Sequence, residues 1–434
     1  MTWTKTEYAG WGRALSAKGE VTRPERADMI AALAADGAAP AMGMRRSYGD
    51  AALNSEGRMI DMTRLDRLLS FDPKTGILEV EAGARIGDIA ETFAPRGWLP
   101  AVMPGTGFAT IGGCIGQDVH GKNHHHQGSF GQHVTEITLL QKGKELRVKP
   151  GSALFKATVG GLGQTGVILR AKIRMIPCKG DLVFVTERRA CNWEEHLTLL
   201  DASEATYTVG WIDATATGPE LGRGIVEEGE SGAGLVKKRG KASKVPLDAP
   251  HFALAKPIVK AFNWAYFHRV PARGRTVVKA LGDFFFPLDK IHDWNRLYGK
   301  RGFYQFQCVV PLGAAPALRQ MLQEIAGSGL ASPLAVLKRM GPGRGGYLSF
   351  PMEGYTLAID FPNRPEARAL IKRLEAMTSE AGGRLYFAKD GLATGAQIRA
   401  MYPDLPKWQR EVKKADPDGA LVTDLVRRLN LRTA

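Results

Sequence analysis

The run Gly161-Leu162-Gly163-Gln164-Thr165-Gly166 constrains this chain more than any other stretch. It has the G-x-G-x-x-G spacing that joins a strand to a helix in doubly wound α/β domains. In the adjoining segment, Val167 to Pro177, the residues Val167, Leu169, Ala171, Ile173 and Met175 alternate with Arg170, Lys172 and Arg174. Period-two alternation belongs to a strand with one buried face, so the glycines open a strand and the doubly wound reading fails.

Glycine is abundant, 51 of 434 residues, with no collagen period. Two further clusters lie upstream: 43–50, containing Arg45, Arg46, Ser47, Tyr48, Gly49 and Asp50, and 104–116, containing Pro104, Gly105, Thr106, Gly112, Gly113, Cys114 and Gly116. Such loops offer unhindered N–H groups and hydroxyls to a pyrophosphate. Three of them separated by short strands favour a dinucleotide site of a different kind, with tight turns as the plain alternative.

Apolar and charged fractions of 44% and 24% are those of a folded chain. Cys114, Cys178, Cys191 and Cys308 show no C-x-x-C spacing, which fits a reducing compartment. The start lacks the architecture of a secretory signal, and no uncharged apolar run approaches the roughly 18–20 residues that span a bilayer. His120, His124, His125, His126 and His133 crowd around Gly121-Lys122-Asn123. Adjacent loop residues diverge and no Cys or acidic pair completes a ligand set, so no metal is expected. Imidazole near a redox ring, with Lys122 as a fixed cation, is the better use.

The net charge is +15. From Lys237 to Lys279 there are eleven Lys or Arg against one acid, Asp248, interleaved with Phe252, Ile258, Phe262, Trp264, Tyr266 and Phe267. That is the composition of a membrane-surface element, with a solvated loop as the bland reading. Single-stranded nucleic acid is the third, but no recognised nucleic-acid motif accompanies the charge.

Spacing predicts helices over 25–38, 86–93, 192–201, 314–325 and 365–381, and strands over 77–82, 303–310, 334–337, 355–361 and 384–388. The class is α+β, divided into 1–180, 181–383 and a C-terminal return over 384–434. On the strand 303–310, Gln305 and Gln307 share one face while Tyr304, Phe306 and Cys308 share the other. Lys338 and Lys389 stand at strand ends, where two lysines over one ligand would be functional.

Arg46-Ser47-Tyr48-Gly49-Asp50, Pro104-Gly105-Thr106, Asp118-Val119-His120-Gly121-Lys122-Asn123-His124-His125, Gly128-Ser129-Phe130-Gly131 and Thr158-Val159-Gly160-Gly161 together resemble the vanillyl-alcohol-oxidase-type (PCMH-type) FAD flavoproteins. Within these, the similarity is to the decaprenylphosphoryl-β-D-ribose 2′-oxidases of arabinan biosynthesis, and it continues through Lys338, Asp360-Phe361-Pro362 and Ala388-Lys389-Asp390. The resemblance implies a two-domain fold, with FAD on the N-terminal part and C-terminal return and an antiparallel substrate sheet over the flavin.

It also implies that Tyr48, His120, Lys122, Gln307, Lys338, Tyr386 and Lys389 abut the flavin. The loops at 43–50, 104–116 and 160–167, including Gly161, Gly166 and Val167, together with Gly121, Asn123 and His124, would hold the rest of FAD. Lys389, Tyr48 and His120 are candidate bases, unranked, and Lys389 or Lys122 would steady the reduced flavin by charge. Gln305, Gln307, Lys338, Tyr386, Thr356 and Ala358 would face substrate.

Three departures stand out. Arg45 replaces a frequent Gly, while Ala358 and Thr356 stand where mycobacterial members carry Cys and Asn, so thiol-directed inhibitors should not react. No His lies in the loop 45–50, which predicts non-covalent FAD. The implied reaction is oxidation of a secondary alcohol on a polyprenylphosphoryl pentose such as decaprenylphosphoryl-ribose, half of an epimerisation completed by a short-chain reductase partner. The alternative is a sugar-1,4-lactone or polyol oxidase. The expected location is cytoplasmic, peripheral at the inner membrane through 237–279, with no nucleic acid.

Overall fold

The computed structural model describes residues 2–35, 38–236 and 242–432. Its largest element is an eight-stranded sheet built from β1 (Leu182–Ala190), β2 (Tyr207–Ile212), β3 (Gly224–Gly232), β4 (Arg275–Ala280), β5 (Phe303–Val310), β6 (Ala335–Met340), β7 (Gly354–Pro362) and β8 (Arg384–Leu385). Their order is β4-β1-β3-β2-β6-β7-β5-β8, antiparallel at every pair. Register decides the chemistry of its front face. Gln305 lies opposite Asp360 and Gln307 opposite Ala358, while Lys338 lies opposite Thr356.

The back face carries the helices Ala315–Ser328 and Pro365–Glu380. Leu318, Met321, Leu322 and Ile325 from one, and Ala367, Leu370, Ile371 and Leu374 from the other, share an apolar core with Phe306, Cys308, Leu337 and Leu357. Each such buried aliphatic side chain contributes about 1.5–3 kcal/mol. Alternation along β5 therefore does what the sequence predicts: Tyr304, Phe306 and Cys308 enter the core, and the two glutamines are left on the front.

The strand Val167–Pro177 is central to a second antiparallel sheet, pairing with Ile77–Glu81 on one side and Val134–Gln141 on the other. Val167, Leu169, Ala171, Ile173 and Met175 are buried there while Arg174 is exposed, so the glycine loop does open a strand. Helices occupy Ala27–Ala35, Ile86–Phe93 and Trp193–Asp201, close to expectation. In the last, the Asn192 side chain accepts the Glu195 N–H and caps the start.

Three boundaries differ. The strand expected over 334–337 runs on to Met340, so Lys338 lies inside β6 and not at its end. The helix begun near 314 runs on to Ser328 because its left-handed cap is Gly329, not Gly327. The strand expected over 384–388 stops at Leu385, since the N–H groups of Lys389 and Asp390 both turn back to the Tyr386 carbonyl.

The C-terminal return packs on both parts. Trp408, Val412, Leu425 and Leu429 join the core behind the large sheet, while the Asp424 N–H donates to the Leu53 carbonyl. Lys237, Lys238, Arg239 and Lys241 of the basic segment lie outside the described residues. The rest of that segment includes the helix Lys256–His268 and most of β4.

Candidate active site

A cavity of about 1160 Å³ runs between the front of the large sheet and the glycine loops. It exceeds the 300–1,000 Å³ usual for a small-ligand pocket. Of the residues singled out from sequence, Arg45, Arg46, Ser47, Tyr48, Pro104, Gly105, Thr106, Gly112, Gly113, Gly116, His120, Gly121, Lys122 and Gly166 line it. So do Gln305, Gln307, Lys338, Thr356, Ala358, Tyr386 and Lys389.

The polar end is assembled from five separate stretches. Lys389 Nζ lies 3.4 Å from the centroid of the Tyr48 ring, and the two loops are tied by the Tyr48 N–H donating to the Ala388 carbonyl at 2.8 Å. Gln305 donates to Asp360 Oδ1, and the Tyr298 hydroxyl donates to Asp360 Oδ2 at 3.1 Å. Asp360 and Lys389 are near enough for their charges to attract each other. Burial drives each toward its uncharged form, raising the carboxyl and lowering the ammonium, while their mutual attraction opposes it. A lysine with a lowered pKa is a usable proton acceptor near neutrality.

Beside it, the Gln307 amide nitrogen stands 3.1 Å from His120 Nε2 and 3.3 Å from Thr356 Oγ1. His120 Nδ1 in turn is 3.2 Å from Lys338 Nζ. Burial, and next Lys338, hold the His120 imidazolium well below its ordinary range. Burial, helped by Lys122, lowers the Lys338 ammonium to about 7. Tyr386 stacks on Phe350 at 4.7 Å and lies 5.6 Å from the His120 ring.

At the other end of the sheet, Lys122 donates to the Phe284 carbonyl at 2.6 Å and lies over the Phe284 ring. Lys279 donates to Glu187 and Glu227, both at 2.9 Å, and Arg269 reaches the same carboxylates. Burial brings Lys122 down to about 8. It is a partly satisfied wall cation rather than a free charge.

Gly49, Asp50, Cys114, Asn123, His124, Gly161 and Val167 do not line the cavity. Asp50 accepts from Arg428 at 2.7 and 2.9 Å, and the same guanidinium donates to Asp390 at 2.8 Å. Gly49 lets the loops touch, because a Cβ there would sit 1.7 Å from the Asp390 carbonyl oxygen. Cys114 and Val167 are core, and Asn123 donates to the Ala101 carbonyl. His124 accepts the Gly341 N–H, His125 faces the Ala205 carbonyl and His133 the Gln127 carbonyl. Among the described residues no group of three or more His, Cys, Asp or Glu side chains could hold a metal ion.

Two functional positions are not apparent from the sequence. Asp360 stands after Thr356 and Ala358 at period two on β7, and that spacing was the available signal. Asp118 is fully buried and gathers donors from Ser129, Gly131, Gly345 and Ser349. It ties the histidine loop to the segment before β7, a long-range convergence with no local signature.

The residues fit an FAD. Arg46 is sandwiched between Trp11 and Phe108, its guanidinium carbon 4.0 and 4.4 Å from their centroids. Its Nε is buried with no partner, a donor turned to a cavity that would hold pyrophosphate or ribose. Cβ atoms at Gly105 and Gly163 would project into open space, so these loops leave room for a ligand.

Residues 28–149 match the FAD binding domain family. The chain is 38% identical to decaprenylphosphoryl-β-D-ribose oxidase of Mycolicibacterium smegmatis, over 99% of this chain and 98% of that one. It is 31% identical to an uncharacterised protein from the mprA 5′ region of Streptomyces coelicolor, over 79% and 99% of the two chains. Similarity to the D-arabinono-1,4-lactone oxidase of Yarrowia lipolytica is 27% and covers only 31% of this chain and 27% of that one.

Proposed function

The chain belongs to the decaprenylphosphoryl-β-D-ribose oxidase family of FAD-binding oxidoreductases, and from that we propose that it oxidises the 2′-hydroxyl of a polyprenylphosphoryl pentose, such as decaprenylphosphoryl-ribose, to the ketone. The observation that carries this reading is similarity along almost the whole chain, covering the lysines and amides of the polar end and not only the cofactor loops. In the finer reading the two sheets belong to two domains, one for FAD and one for substrate. The cofactor is non-covalent, because Tyr48 and not a histidine stands in the loop 45–50.

Bound FAD supplies the hydride acceptor. Lys389, neutral through burial, takes the hydroxyl proton, and Tyr48 and Asp360 hold it in place. Gln305 and Gln307 orient the pentose, and neutral His120 with Lys338 fixes the hydrogen bonds behind Gln307. Thr356 and Ala358 leave that wall smaller and free of a thiol.

The helix Lys256–His268 supports a lipid-linked substrate. Val259, Asn263 and Phe267 are buried, with Asn263 donating to Asp213 Oδ1 at 2.7 Å. Ile258, Phe262 and Tyr266 reach the cavity wall, yet Ile258, Phe262 and Trp264 are 46, 51 and 57% exposed among Lys256 and Lys260. An element with one edge in the cavity and an aromatic, basic outer face suits peripheral contact with anionic lipid. Among the described residues no helix is long and apolar enough to cross a membrane. A short-chain reductase acting on the keto sugar completes the reading.

The test is anaerobic mixing of the holoprotein with a prenylphosphoryl pentose while the flavin band is monitored. Bleaching by this substrate and not by free sugar lactones supports the assignment; bleaching only by lactones moves it to the lactone oxidases. Lys389→Ala should keep FAD and slow bleaching by roughly 10²–10⁴-fold.

A further inference from the structure

The large cavity continues past the groups that act on the alcohol, and strand register gives its course. Gln307 of β5 lies opposite Ala358 of β7, Ala358 opposite Val336 of β6, and Val336 opposite Trp211 of β2. Directly paired residues share one face of a sheet, so these four side chains form a straight row across the front. Three strand spacings separate its ends, about 14 Å. Beyond Gln307 the row holds only Ala, Val and Trp.

The helix Lys256–His268 prolongs it. The Trp211 ring lies 4.6 Å from that of Tyr266, and Tyr266 stacks on Phe262 at 5.9 Å. The polar atoms of the first two rings are engaged elsewhere: Trp211 Nε1 donates to the Pro333 carbonyl at 2.9 Å, and the Tyr266 hydroxyl accepts from Arg269 at 3.1 Å. Carbon faces are left for the cavity, which all six residues line.

This stripe is kept open. Ala358, Val336 and Trp211 are only half-buried, although their chain neighbours Leu357, Leu337 and Ile212 are fully buried behind the sheet. Apolar surface left accessible inside a cavity gains from an apolar ligand laid along it. At the far end Ile258, Phe262 and Leu297 line the cavity and are also exposed, so they form its rim.

We propose that this row is the track of the substrate's lipid tail, with Trp211 and Val336 setting the preference for a prenyl chain over a bare sugar phosphate. The inference rests on the function proposed above, which puts the pentose at Gln307. From there the first isoprene units cross β7, β6 and β2, pass Tyr266 and leave between the helix and Leu297. Lys122 spends one N–H on the Phe284 carbonyl and stands 4.0 Å from Glu227, which leaves it a donor for the phosphodiester between sugar and tail.

A tail series tests it. Ribosyl phosphates esterified with methyl, prenyl, geranyl and farnesyl groups should reduce the flavin anaerobically with a KM that falls at least about tenfold from methyl to farnesyl. In Trp211→Ala the four KM values should draw together, with kcat for the farnesyl compound changed less than its KM. Val336→Phe adds bulk toward the cavity and none to the core, so it serves also if W211A folds poorly, and it should weaken the farnesyl compound most. A KM independent of tail length, or a tail preference that both variants keep, would overturn the track. A preference lost instead in Trp264→Ser, outside the cavity, would put the tail on the outer face of the helix and equally refute it.

A sugar-free measurement separates the track from the function reading. In calorimetric titrations of the holoprotein below micelle-forming concentrations, farnesyl phosphate should bind more tightly than geranyl phosphate, and W211A should lose the difference. That result without bleaching by any ribosyl phosphate would keep the track and sink the sugar assignment. Bleaching with no dependence on the tail would keep the sugar and sink the track.

Discussion

Lys338 Nζ lies 3.2 Å from His120 Nδ1, and the bonds around them decide which carries the proton. Thr356 donates to the Cys308 carbonyl, so its oxygen must accept from the Gln307 amide. The other amide hydrogen then points at His120 Nε2, which must accept. Assigned this way, the imidazole proton is on Nδ1 and Lys338 is the free amine that receives it. The lowered pKa of both groups agrees with that state.

The pH profile of flavin reduction should show it. Both Lys338, at about 7, and Lys389 must lose a proton to work, so the rate should fall as pH drops through the neutral region, with a slope near two. Lys338→Gln offers a carbonyl that accepts from Nδ1 and does not titrate, so its low-pH slope should approach one. Lys338→Arg, always a donor, should cost roughly a hundredfold.

Arg428 clamps Asp50 and Asp390, two residues after Tyr48 and one after Lys389. Arg428→Ala leaves two buried carboxylates unpaired, which should destabilise the fold by about 3–5 kcal/mol in urea unfolding. Flavin reduction should slow as well, because Tyr48 and Lys389 lose their common anchor. Arg428→Lys should recover only part of both, for lack of the bidentate geometry.

Acid should weaken the fold through two buried histidines before the ordinary surface carboxylates protonate. His124 and His196 are buried and held down at about 4 by burial. A histidine depressed in the native state contributes stability that is complete above its unfolded pKa and lost as pH falls. The window is therefore about pH 6.5 down to about 4, with a loss of order 3 kcal/mol per histidine. Unfolding free energies at pH 7 and 4.5, compared with those of a His196→Gln variant, check the sign.

Membrane contact predicts a lipid-dependent phenotype. Replacing Phe262 and Trp264 by Ser should weaken flotation with anionic vesicles at least about tenfold, given roughly 1.5–3 kcal/mol for each such side chain buried. FAD content should stay unchanged. Zwitterionic vesicles, or high salt, should weaken the parent as well.

Much of this molecule is written locally. Alternation over 167–177 and 303–310 fixes which side chains enter the cores, because side chains on a strand take opposite faces in turn. The front-face pair Gln305 and Gln307, the loops with Arg46 and Gly105, and the divergence of His120 from His124 and His125 come from spacing and turn chemistry. Lys389 and Lys338 were visible as lysines at predicted strand ends, although Lys338 lies inside β6 and Lys389 in the turn after β8.

What the chain's local order could not reveal is convergence. Asp360 faces Gln305 only through the register of β7 on β5, Asp118 meets Ser349 across 231 residues, and Arg428 reaches back 378 residues to Asp50. The two-residue length of β8, after which the chain turns and leaves Lys389 on the cavity wall, is likewise a tertiary outcome. Periodicity and glycine loops depend on neighbours along the chain, so the sequence determined the strands, their buried faces and the cofactor-type loops. Protonation states and ion pairs depend on which distant groups share a dry space, and only the packed structure decides that.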